Sequence, residues 1–152
     1  MHRVIIADIS CFIILSKINE LELIHHVYGE IVTTVDIANE FGEELPIWVE
    51  IVEVKDKLRQ QLLEMQVDKG ESSAMALALE MPESTIVIDD YKARKVADHL
   101  GINYTGTIGV LIKAKLLGII QSIKPLLSKI KETNFRISAE LEEKALQESG
   151  EL

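Results

Sequence analysis

Strand-like and helix-like segments alternate along the whole chain, and few architectures tolerate that alternation. Arg3-Val4-Ile5-Ile6-Ala7 reads as a first strand, followed by helical stretches Cys11–Lys17 and Glu22–Val27. Ile31-Val32 is a short strand, and Thr33 or Thr34 can cap a helix that runs to Phe41 and stops at Gly42. Val49 to Val54 alternates apolar with acidic residues, the pattern of a half-exposed edge strand. Lys55–Met65 is helical, and Gly70 separates it from a helix Glu71–Met81 ended by Pro82. Thr85–Ile88 is the next strand, then come a helix Lys92–Leu100 ending at Gly101 and a short strand Ile102-Asn103-Tyr104. A helix Ile108–Leu117 precedes Gly118, and the tail carries a helix Leu126–Lys131 and a last one capped by Ser138. Strands separated by helices imply a mainly parallel central sheet with helices on both faces. The expectation is one three-layer α/β/α domain over residues 1–152.

Composition narrows the function. Hydrophobic residues make up 47% of the chain but aromatics only 5%, so the core is aliphatic. A net charge of −9 argues against an independent nucleic-acid binder, whose phosphate contacts rest on Lys and Arg. A metal-dependent nuclease is a partial exception, because a bound cation offsets the acid of its site. The acidic surface also suits a basic protein partner. Cys11 is the only cysteine, which points to a reducing compartment. No signal-peptide pattern or apolar run of membrane-spanning length is present, so a cytoplasmic location is expected.

Two apolar runs end in aspartate, the first at Asp8 and the second at Asp89-Asp90. In open α/β sheets ligands bind outside the carboxyl ends of the strands. Carboxylates delivered there from distant segments repel each other unless a cation joins them. Each has an ordinary alternative: Asp8 can cap the next helix, and Asp89-Asp90 can satisfy turn amides. Strand alternation sends those two aspartates to opposite faces, so one of them is the ligand. Glu40 stands at the edge of a buried helical stripe, or else is a surface Glu like Glu43 and Glu44. Glu71 heads the stripe Ala74, Met75 and Ala78 at a helix N-terminus, which favours its charged form. All-oxygen ligation selects Mg²⁺ or Mn²⁺, ions that activate water against a phosphodiester.

The stretch Thr85-Ile-Val-Ile-Asp-Asp-Tyr-Lys-Ala-Arg, continuing to Tyr104-Thr-Gly-Thr-Ile-Gly-Val-Leu, resembles the PIN-domain nuclease superfamily. It is most similar to small prokaryotic members with an Asp-Asp-x-x-x-Arg then Thr-Gly-Thr-x-Gly pattern. Asp8-Ile-Ser, Glu40 after Val35-Asp36-Ile37, Lys69-Gly-Glu71 and the tail through Phe135-Arg-Ile-Ser extend the likeness over nearly the whole chain. The resemblance implies a Mg²⁺- or Mn²⁺-dependent ribonuclease, often the toxin of a toxin–antitoxin pair. A small antitoxin protein as partner and a homo-oligomer, a dimer, are the accompanying expectations. Its acidic residues map onto Asp8, Glu40, Glu71 and Asp89, with Asp90 adjacent as a further metal candidate. A fourth family acid after the strand aspartate has no counterpart; Thr105-Gly106-Thr107 stands there, and Thr107 either holds a water or caps its helix. The rival reading is a non-catalytic PIN-like domain that binds a protein partner.

Ser10, Lys92, Arg94 and Thr107 are the candidates for contact with substrate, although Arg94 can equally pair with Asp98 one helical turn on. Lys113 and Lys115 are expected to be solvated. His25-His26 lacks metal-ligand spacing, and Trp48 and Tyr91 are too isolated to stack bases. A haloacid-dehalogenase-type phosphatase would need an aspartate where Ser10 stands. A receiver domain would need an acidic pair on the first strand. No glycine-rich phosphate loop appears.

Overall fold

A computed structural model describes residues 3–152. Val4–Ala7 forms β1, followed by α1 (Ile9–Lys17) and α2 (Glu22–Tyr28). Then come β2 (Ile31–Thr34), α3 (Val35–Phe41), β3 (Val49–Val52), α4 (Lys57–Leu63) and α5 (Lys69–Glu80). The second half is β4 (Ser84–Val87), α6 (Tyr91–Leu100), β5 (Tyr104–Thr105), α7 (Thr107–Leu116), α8 (Lys124–Lys131) and α9 (Ala139–Glu148). The five strands make one sheet in the order β3-β2-β1-β4-β5, and every pairing is parallel. Helices flank it, as the three-layer expectation required. In β1, Ile5, Ile6 and Ala7 are all buried although successive side chains point to opposite faces, so both faces must be covered.

The order of strands places the site. From β1 the chain winds to β2 and β3 on one side, then returns to lay β4 and β5 on the other. The direction of winding therefore reverses between β1 and β4, which is where a parallel sheet leaves a crevice at its carboxyl edge. Ala7 pairs with Val87, and the Asp8 amide donates to the Val87 carbonyl at 3.1 Å. Asp8 and Asp89 thus emerge side by side at that crevice.

Two helix stops follow the expected chemistry, with Gly42 and Gly101 in left-handed conformation after α3 and α6. Thr34, rather than Thr33, caps α3: its hydroxyl accepts from Ile37 N at 3.1 Å and lies 2.6 Å from Ser73 Oγ of α5. Thr33 donates instead to the Ala7 carbonyl. Replacing Thr34 by Val removes both bonds in a buried site. We expect a loss of about 1–3 kcal/mol, seen as a lower urea midpoint with an unchanged m-value.

One boundary departs from expectation. Gly70 does not separate two helices but lies in the first turn of α5, because Asp68 and Glu71 form a reciprocal capping box that starts the helix at Lys69. The fit around Gly70 is close. An added Cβ would stand 3.1 Å from Glu40 Oε1 and 3.6 Å from Ile37. The edge strand β3 is also shorter than its sequence pattern suggests, and Ile51 is half-exposed.

Candidate metal centre

Asp8 occupies the position before α1, yet its side chain makes no capping hydrogen bond. It is only 2% exposed, and its Oδ1 is buried without any hydrogen-bond partner. An ionised oxygen left so is costly. Burial pushes the carboxyl up to about 7; the nearby Ile9 amide pulls it down, and the charges of Glu71, Asp68 and Asp89 push it further up.

Asp89 is the opposite case. Thr107 N donates to its Oδ1 at 2.8 Å, while Thr107 Oγ1 and Ser10 Oγ donate to Oδ2 at 2.7 and 2.8 Å. Three donors from α1 and α7 therefore fix a carboxylate delivered by the end of β4. Glu71, on α5, is half-buried and also pushed up to about 7, by burial first and then by Asp68, Asp90 and Glu40. Glu40 is raised too, by desolvation and by the charge of Asp68.

The acids at this end of the sheet thus share one field of negative charge. Among the described residues, however, no three His, Cys, Asp or Glu side chains converge closely enough to hold a metal ion as they stand. The donor set still fits a hard divalent cation in kind, being all oxygen, and the orphaned Asp8 Oδ1 fits it in position.

Residues 4–151 match the family described as PIN domain. The chain belongs to the PIN-domain family. PIN domains are generally nucleases, which act on nucleic acid and generally use divalent metal ions. No curated protein matches the sequence. Among the described residues no helix of this PIN domain is long and apolar enough to cross a membrane.

Within the PIN domain several side chains do other work than the sequence suggested. Asp90 caps α6, accepting from Ala93 N at 2.9 Å, while the charge of Asp89 acts on Asp8. Thr107 does not cap α7, whose cap position is Gly106; it clamps Asp89. Ser10 is likewise spent on Asp89. Lys92 is exposed. Arg94 forms no ion pair with Asp98, which accepts instead from Tyr104 Oη at 3.3 Å. Lys115 is not fully solvated but pairs with Glu151 at 3.6 Å, and Trp48 stacks on His25 at 4.8 Å.

Asp68 is the acidic neighbour that sequence reasoning missed. It acts electrostatically on Asp8, Glu40 and Glu71, and the spacing Asp68-x-x-Glu71 of a capping box was the available signal. The Thr107 clamp is testable. Thr107→Val keeps the backbone donor but loses the hydroxyl, and we expect about 2 kcal/mol of destabilisation. Thr107→Ser should restore most of it, as measured by chemical denaturation.

Proposed function

We propose that this PIN domain is a ribonuclease that hydrolyses RNA phosphodiester bonds with Mg²⁺ or Mn²⁺. In this reading Asp8, Glu71 and Asp89 hold the ion, Glu40 contributes directly or through water, and Asp90 stands beside them. The observation that carries the proposal is Asp8 Oδ1, a buried carboxylate oxygen with no partner at the winding reversal of the sheet. A carboxylate kept there for packing alone would be replaceable by a neutral side chain at a gain in stability.

A divalent ion at this place supplies positive charge against the phosphate transition state and makes water a better nucleophile. The protein's own part is orientation. Thr107 and Ser10 lock the Asp89 carboxylate, and the Asp68 amide holds Glu71 Oε1 at 3.3 Å. No side-chain nucleophile is needed; Cys11 is fully buried and its thiol is pushed up by that burial.

We further place the protein in the cytoplasm as the toxin of a toxin–antitoxin pair, working as a homodimer. The net charge of −9 supports a small basic antitoxin as its partner. A second reading, a protein-binding module with a vestigial pocket, draws on two features. The acids do not close around an ion as they stand, and both Asp89 oxygens are already hydrogen-bonded.

Cleavage decides between the two. Purified protein with Mn²⁺ should cut single-stranded RNAs, and Glu71→Gln, which keeps the capping box, should lose most of that cleavage. A folded wild type that cuts none of several RNAs favours the binding module, and equal cutting by the variant reveals a contaminant.

A further inference from the structure

Between α6, β5, α7 and α9 lies a cleft of about 280 Å³ that Asp89 lines but Asp8, Glu40 and Glu71 do not. Its walls combine two chemistries. Ile108, Ile112, Phe135 and Leu141 supply apolar surface, and Arg94 and Lys144 supply cations.

Arg94 is built into that wall. Its Nε donates to the Ile88 carbonyl at 2.9 Å, and its guanidinium carbon sits 5.3 Å from the centroid of the Tyr104 ring. Gly106 makes the room: a Cβ there would collide with Arg94 Nη2 and stand 3.0 Å from Asp89 Oδ1. The guanidinium and the Asp89 carboxylate therefore border the same spot. Among the described residues the terminal nitrogens of Arg94 make no hydrogen bond or ion pair. A fixed stem with free terminal donors is the arrangement that takes an oxyanion.

We infer that this cleft is a nucleotide subsite, in which Arg94 takes a phosphate next to the one being cut and the apolar wall takes its base. The choice of a ribonucleotide rests on the RNA-cleaving reading above. The volume falls just below the range of ligand clefts, roughly 300–1,000 Å³, which suits one nucleoside rather than a longer oligomer. Asp89 and Glu148 also border the cleft, so an anion there relies on the two cations of the wall, Arg94 and Lys144, to offset those carboxylates. Phe135 and Leu141 also wall a neighbouring groove with Arg136 and Asn134, which gives the continuing strand a way out.

The test is binding of ribonucleoside 5′-monophosphates to the full chain in chelator, followed by amide chemical shifts. Gly106 and Gly109, both on the cleft wall, should move, with millimolar affinity. Inorganic phosphate should bind more weakly. Leu141→Trp, which fills the cleft from a partly exposed position, should abolish the shifts, and Arg94→Gln should weaken binding about tenfold. The assignment is overturned if none of the four monophosphates moves these amides, if the shifts survive in both variants, or if phosphate alone binds as well. RNA cleavage without the shifts would remove the cleft and leave the ribonuclease. Shifts in a protein that cuts no RNA would support the cleft as a nucleotide site and remove the ribonuclease reading.

Discussion

Asp8→Asn should make the protein both inactive and more stable. With Mn²⁺ present, RNA cleavage should fall by at least about a hundredfold, since the variant loses an oxygen donor of the proposed ion. In chelator at pH 8 the same variant should melt higher than wild type. Moving the Asp8 carboxyl from its ordinary 3.8 to about 7 corresponds to about 4 kcal/mol held against folding once the group is ionised. Asn keeps the shape and drops the charge, but its amide must still find partners, so a gain of about 1–3 kcal/mol is the reasonable expectation. In a chain of this length that is a rise of roughly 3–9 °C. An ordinary capping aspartate predicts the reverse, because its loss destabilises the helix. An Asn variant that melts lower in chelator and still cuts RNA would therefore end the metal-site reading.

Much of this geometry could be read from residues alone, and the part that could not has a common cause. The runs Val4–Ala7 and Ile86–Ile88 are apolar on both alternating faces, and Gly42 and Gly101 sit where left-handed backbone ends a helix. Local chemistry decides such features. Gly70 misled because Gly usually stops a helix, whereas here the Asp68–Glu71 capping box outweighs it and Glu40 packs close against the bare backbone. Thr107 misled because its hydroxyl stands where a cap residue often does. Its partner is Asp89, 18 residues away in sequence and in contact only because β4 runs beside β5. The orphaned oxygen of Asp8 has no sequence signature at all, since it depends on tertiary burial of a single atom.

Acid should stabilise the chelated protein, and the ion should reverse that preference. Asp8 and Glu71 each have a folded-state carboxyl pushed up to about 7, from ordinary values of 3.8 and 4.5. The folded chain therefore binds protons that the unfolded chain has already released. The stability these groups contribute is complete below about pH 4 and is lost as pH rises towards 7. Glu71 is half-exposed, so solvent screening leaves Asp8 as the main contributor. Glu151, whose carboxyl is lowered by Ser122, Ile123 N and Lys115, acts in the opposite direction only below the ordinary carboxylate range. Melting in chelator should accordingly be highest near pH 5 and lower at pH 8. Mn²⁺ competes with those same protons, so it should stabilise strongly at pH 8, by about 3 kcal/mol at a hundredfold excess over its Kd, and hardly at pH 5. Calorimetry in two buffers of different ionisation enthalpy should count about one to two protons released per ion near pH 6. A flat melting profile in chelator, or an ion that stabilises equally at both pH values, would mean that the buried carboxylate is not what the ion meets.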